Sequence, residues 1–177
     1  MTLKPAQLLL EFVSLFTDGT LPGPILDLAC GDGHNGIFLA QKRLSVMCCD
    51  KSREALARAR RLAAERGVTV DFWQVDLERE GINPLPQEFY GGILVFRYLH
   101  RPLIPPMRKA LRKGCILIYE TFTVEQPKFG KPHNPDFLLK PGELHEWFGD
   151  WETIHAFEGI KENPKRAVAQ IVSRKPT

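Results

Sequence analysis

The stretch Ile25-Leu26-Asp27-Leu28-Ala29-Cys30-Gly31-Asp32-Gly33-His34-Asn35-Gly36 passes from a short apolar run into a glycine-rich turn. A helical pattern follows through Ile37, Phe38, Leu39 and Ala40. That order reads as strand, tight loop and helix, the opening unit of an α/β domain. Gly31 and Gly33 let the backbone turn tightly and let a ligand approach where a Cβ would collide. The helix start then presents unpaired N–H groups to whatever lies over the loop.

Two kinds of ligand compete for such a loop. Gly31, Gly33 and Gly36 satisfy a G-x-G-x-x-G spacing, and Asp50 follows about twenty residues on, where a dinucleotide fold places a ribose-binding acid. Asp27 argues for something else. A carboxylate just ahead of the loop repels a diphosphate but suits a ligand carrying an amino group and a sulfonium centre. Working outward, Ser45–Asp50 reads as a second strand ending in an acid. Asp50 or Ser52 also caps the next helix, whose apolar face is Ala55, Leu56, Ala59, Leu62 and Ala63 and whose stop is Gly67. Val68, Val70 and Phe72 alternate into a third strand that runs on to Val75-Asp76-Leu77. Asp27, Asp50 and Asp76 thus stand near the ends of three successive strands, a more specific signal than the glycines.

Asp27-x-Ala29-x-Gly31-x-Gly33 resembles the first motif of class I S-adenosylmethionine-dependent methyltransferases, Asp/Glu-x-Gly-x-Gly-x-Gly, with Ala29 in place of the first glycine. The run Leu-Asp-Leu-x-Cys-Gly-x-Gly followed by Asn35 is similar to the tellurite-resistance-type branch, with His34 where that branch often has Arg. The resemblance covers nearly the whole chain. It implies a Rossmann-like three-layer sandwich, a mostly parallel seven-stranded sheet with a C-terminal antiparallel pair. It also implies S-adenosyl-L-methionine as cofactor, with contacts from Asp27, Ala29, Gly31, Gly33, Asn35, Asp50, Lys51, Asp76, Leu77 and Phe96. In that scheme Asp50 takes the ribose hydroxyls, Asp76 accepts from the adenine amino group, and Leu77 offers its backbone N–H. Binding of NAD is the competing expectation.

Further along, residues 78–88 read as a loop, and Phe89–Phe96 as a fourth strand whose Gly91-Gly92 signals close packing or a bulge. Arg97-Tyr98-Leu99-His100-Arg101-Pro102 occupies the place of the family's fourth motif. The Asn/Asp-Pro-Pro-aromatic signature of enzymes that methylate exocyclic or amide nitrogens is missing there, which disfavours those acceptors. Met107–Arg112 is expected as a short helix ended by Gly114, and Cys115–Tyr119 as a fifth strand closing on Glu120. The proline-rich tract 121–140 is expected as a lid over the site. Residues 137–144 then start a helix with Pro141 in its first turn, and Trp151–Glu158 and Arg166–Arg174 form the closing strands. At the front, Leu8, Phe12 and Phe16 make a helical stripe over residues 4–17, part of an N-terminal helical segment 1–20.

A neutral oxygen or nitrogen acceptor needs a base, for which His100, Glu120 and Tyr98 are the candidates, with His133 behind them. Alternatively, Glu120 pairs with a nearby arginine. A soft or anionic acceptor, such as a thiolate or a selenium or tellurium centre, needs no base; His100, Arg97 and Arg101 would then hold its charge.

A length of 177 residues suits one domain, residues 1–177. The charge of +3 demands no acidic partner. Arg53, Arg58, Arg60, Arg61 and Arg66 gather on one helix and are either its solvated face or an RNA contact. Cys30, Cys48, Cys49 and Cys115 show neither C-x-x-C pairing nor metal spacing, so no metal site is expected, and they read as reduced thiols of a cytoplasmic protein. Leu8-Leu9-Leu10 is cut off by Glu11, so neither a leader nor a membrane span is expected. The expectation is a methyltransferase acting on a small molecule. An RNA methyltransferase and a catalytically silent binding protein of the same fold are the alternatives.

Overall fold

The computed structural model describes residues 4–81 and 83–177. Its centre is β1 (Ile25–Leu28), four residues that are all buried. The chain leaves β1 through helix α3 (His34–Gln41) to β2 (Val46–Asp50), then through α4 (Arg53–Glu65) to β3 (Asp71–Gln74). It crosses back to β4 (Tyr90–Phe96) on the other side of β1 and continues through α5 (Ile104–Ala110) to β5 (Leu111–Phe122). Helix α6 (Glu143–Phe148) and the hairpin of β6 (Glu152–Lys161) and β7 (Arg166–Arg174) complete the sheet. Its order is β3-β2-β1-β4-β5-β7-β6, with β7 antiparallel to both neighbours and the other pairings parallel.

Strands covered on both faces read as near-continuous apolar runs, and Ile93-Leu94-Val95 is fully buried in this way. Alternate residues serve two cores. Leu26, Leu28, Ile93, Val95, Leu117 and Tyr119 pack with α5 and α6 residues such as Met107 and Phe148. Ile25, Leu94, Ile116 and Ile118 pack with Leu8, Leu9, Phe16 and Leu39 on the other face. The N-terminal stripe is split into α1 (Gln7–Phe12) and α2 (Ser14–Thr17). A methyl group at Gly92 would come within 2.6 Å of Phe16, so the glycine pair lets this segment lie close on the sheet, and a register shift sits beside it at Tyr90/Gly92.

Several boundaries differ from expectation. Pro105 and Pro106 fall in the first turn of α5, which begins at Ile104 and ends at Ala110, where Leu111 already pairs with Tyr90. Gly114, expected as a helix stop, is a left-handed residue inside the irregular start of β5. Val68 closes α4 by donating to Ala63, so β3 begins only at Asp71, and Asp76 lies in the loop beyond it. Pro141 precedes the Gly142 cap of α6 and does not occupy its first turn. No helix among the described residues is long and apolar enough to cross a membrane.

Candidate active site

Sheets of this kind bind ligands beyond the carboxyl ends of the strands, where the order reverses. Here β1 sits between β2 and β4, and two cavities open at that edge. The first, about 460 Å³, brings together Ala29, Asp50, Asp76, Leu77, Arg97 and Thr121. The second, about 360 Å³, lies between the start of α3 and residues 4–7, and includes His34, Asn35, Phe96 and Glu120. Ala29 and Arg97 line both, and both hold positive φ, +53° and +55°. Such a backbone costs about 1–3 kcal/mol outside glycine and persists where the surroundings over-determine it.

Asp27 shares the α3 face of β1 with Ile25, and this alternation turns its carboxylate under the helix. Its Oδ2 accepts from the Gly36 N–H at 2.8 Å, and the residue is 2 % exposed. Burial pushes its carboxyl up to about 7 against the Gly36 bond, with Asp50 adding to the rise. Asp27 therefore seats α3 on β1. Because the folded value lies above the unfolded one, this group favours folding below about pH 4, and its contribution declines as pH climbs towards 7. Asp27→Asn should accordingly gain in melting temperature relative to wild type between pH 5 and pH 8. A constant difference across that range would contradict this. At Gly36 a Cβ would meet Cys48 Sγ at 2.5 Å and Asp27 Oδ2 at 3.0 Å. Gly36→Ala should cost about 1–3 kcal/mol, read as a denaturant midpoint shift with unchanged far-UV dichroism.

Asp50 is held by two backbone donors, Gly31 N–H on Oδ2 and Ser52 N–H on Oδ1, both at 2.8 Å. This fixes its carboxylate against the glycine loop. Ser52 separately caps α4 by accepting from Ala55 N–H. Asp76 Oδ1 accepts from Glu78 N–H at 3.0 Å, which orients it at the rim of the same cavity. Leu77 is buried beside it, and Lys51 lies on the rim, 3.7 Å from Glu78. Gly33 is the left-handed cap of α3 and would collide with Ala59 if it carried a Cβ. A Cβ on Gly31 would meet nothing within 4 Å, so the space over the loop is open. Asn35 accepts from Ala6 N–H at 2.8 Å and ties the N-terminal segment to α3. His34 Nδ1 is buried without a partner among the described residues, and burial, then Arg97, holds its ring below the usual pKa.

The candidate bases separate. Glu120 lines the second cavity, and its partner is Gln170 Nε2 where the sequence suggested an arginine. Tyr98 lines the first cavity on the Glu78 and Asp76 side, its buried hydroxyl without a hydrogen-bond partner among the described residues; burial first, then Glu78, raises its pKa. His100 lines neither cavity; its carbonyl caps the turn before α5 by accepting from Leu103 N–H. His133 is exposed and also lines neither. Arg101, expected to hold substrate charge, grips Glu143 through two 2.8 Å bonds and donates to the carbonyls of Asp136 and Leu138.

That grip shapes the tract after β5. Leu139 N–H donates to Phe122 O and Val124 N–H to Leu139 O, closing residues 123–139 into a folded loop with two 3-10 turns. Lys131, Pro132 and Phe137 from this loop wall the first cavity. They were not singled out in the sequence, nor were Gln170 and Arg166. Among the five helical arginines, Arg58 is paired with Asp32 at 2.9 Å and Arg60 lies over the Phe72 ring.

The two carboxylates poised beside an open glycine loop, the buried unpartnered His34 Nδ1 and the second cavity beyond it fit an adenosyl ligand with an amino-acid tail. Comparison with known proteins agrees. The family described as a methyltransferase domain matches residues 25–115. Hemagglutinin 1 of Eikenella corrodens is 27 % identical over 146 residues, 78 % of this chain and 47 % of its own length. The probable S-adenosyl-L-methionine-dependent methyltransferase TehB of Haemophilus influenzae is 23 % identical over 80 % of this chain and 50 % of its own. This chain thus spans about half the length of the curated relatives it matches. The crystal structure of that TehB superposes with a TM-score of 0.72 at 22 % identity, over 92 % of this chain and 62 % of that one. Magnesium protoporphyrin IX methyltransferase from Synechocystis PCC 6803, solved with bound SAH, gives 0.71 at 19 % identity, over 95 % and 81 %. The chain belongs to the family described as a methyltransferase domain.

Proposed function

We propose that this protein transfers a methyl group from S-adenosyl-L-methionine to a small-molecule acceptor. The observation that carries the reading is a pair of carboxylates, Asp50 at the end of β2 and Asp76 in the loop beyond β3, set beside an open glycine loop in one cavity. Asp50 would accept from the ribose hydroxyls, Asp76 from the adenine amino group, and Leu77 N–H would reach the ring. Gly31 and Gly33 shape the loop over which the cofactor's middle lies. The second cavity, with Asn35, His34 and Phe96, would take its amino-acid tail.

When bound, the cofactor supplies an electrophilic methyl group on a sulfonium. The chain's part is alignment, which can supply several kcal/mol. Arg97 stands at the junction of the cavities, without an ion-pair partner among the described residues, and would hold a charged acceptor. The 121–140 loop, pinned by Arg101, would cover the reaction from water. A small acceptor is favoured because Lys131, Pro132 and Phe137 wall the cavity, and because two of the arginines available to RNA are already engaged. The test is formation of S-adenosylhomocysteine, followed by mass spectrometry, over a panel of small thiols and metalloid oxyanions and then alcohols and amines. Turnover with one of them supports the reading; turnover only with RNA would replace it.

A further inference from the structure

We propose that Glu120, held by Gln170, which in turn bonds His155, is the carboxylate that receives the α-ammonium group of the cofactor's amino-acid tail. This rests on the proposed seating of that tail in the second cavity. A buried ammonium group needs an anionic acceptor, and the residues lining that cavity offer two, Asp27 and Glu120. Asp27 is committed to the Gly36 N–H beneath α3, and burial drives it towards its neutral form. Glu120 is the open one. It is 8 % exposed, its Oε2 accepts from Gln170 Nε2, and no protein donor reaches its Oε1 among the described residues.

The strand order explains how it is held. Glu120 of β5 is the registered partner of Gln170 on β7, and β6 runs alongside with His155. Gln170 Oε1 lies 3.0 Å from His155 Nε2, and the His155 ring packs on Phe12 at 5.2 Å between centroids. An amide has one donor end and one acceptor end. The Gln170 NH₂ donates to the Glu120 carboxylate while its carbonyl faces the His155 ring nitrogen. The reversed amide would set carbonyl against carboxylate. Backbone bonding adds to the fixation, since Arg97 N–H donates to Glu120 O at 2.9 Å. Lys4 and Arg166 line the same cavity and make no ion pair with Glu120 among the described residues, which leaves them for the tail's carboxylate. The cavity therefore offers both charges that a zwitterion requires.

Calorimetric titration with two ligands tests this. One is S-adenosylhomocysteine; the other is its analogue in which hydrogen replaces the α-amino group. Wild type should bind the first at least about tenfold tighter, the effect of losing one charge-assisted bond. Glu120→Gln should weaken S-adenosylhomocysteine by about tenfold or more and leave the deaminated analogue within about twofold. Gln170→Leu should erode the same preference, a selectivity that mere loss of packing would not produce. Equal binding of both ligands by wild type, which needs no variant to fold, overturns the proposal. So does equal weakening of both by Glu120→Gln. If wild type binds neither ligand, the cofactor reading falls and the proposal with it.

Discussion

Replacing Asp50 with alanine should weaken S-adenosyl-L-methionine binding at least tenfold while leaving the fold intact. The carboxylate stands at the end of β2 with each oxygen already oriented by a backbone N–H, Gly31 on one and Ser52 on the other. Each oxygen keeps a second lone pair for a ribose hydroxyl. A hydrogen bond to a charged group contributes about 1.5–3 kcal/mol, and about 1.4 kcal/mol is a factor of ten. Loss of the pair, together with the looser glycine loop, should exceed that factor. The fold should survive because Ser52 still caps α4 through Ala55 N–H and Asp50 makes no ion pair among the described residues. Calorimetry on the variant checks the affinity, and a melting curve checks the fold. Unchanged affinity would remove Asp50 from the site.

Arg101→Ala should have the largest effect on stability. The guanidinium is one-third exposed, yet it makes two bonds to Glu143 and two to carbonyls of the 121–140 loop. Removing it strands a carboxylate whose side chain is 10 % exposed. Breaking a fully buried pair costs about 3–5 kcal/mol; with the exposure of Arg101 discounted, about 2–3 is expected. For a chain of this size that lowers the melting temperature by about 4–12 °C. The effect has a pH signature. Burial alone would raise the Glu143 carboxyl, but the Arg101 and Lys140 N–H bonds outweigh it and hold the group below the usual range. A depressed carboxylate stabilises fully above its unfolded pKa of about 4.3 and loses this as pH falls through the folded value. The gap between wild type and variant should thus be full at pH 7 and narrow below about pH 4. Arg101→Lys should recover only part of it, because a point charge does not reproduce the fork. A melting temperature unchanged at pH 7 would show that the loop is held by other contacts.

The parts of the fold set by local rules were legible in the sequence. The strand–loop–helix at 25–40, the Ser52 cap, the glycine stop of α4 and the closing hairpin each follow from apolar period and turn chemistry within one segment. Boundaries set by tertiary packing were not. Leu111 joins β5 because Tyr90 lies opposite it, and no local pattern around Gly114 reports that pairing. The site divides along the same line. Asp50, Asp76 and Leu77 reach one cavity because each follows a parallel strand, a placement that chain order implies. The destination of Asp27 depends on which face of β1 it takes, and alternation turns it beneath α3. Arg101 and His100 are adjacent in sequence, but a helix start and a loop that returns from residues 136–143 assign them structural work. Glu120 met Gln170 through a β5–β7 register that only the folded sheet supplies.

The crevice beyond β1, β2 and β4 is proposed to bind an adenosyl sulfonium cofactor. Isothermal titration of the purified chain with S-adenosyl-L-methionine, S-adenosylhomocysteine and NAD in parallel tests it most directly. Micromolar binding of the two sulfur ligands with none of NAD is the predicted result. Binding of NAD, or of neither sulfur ligand, would contradict it.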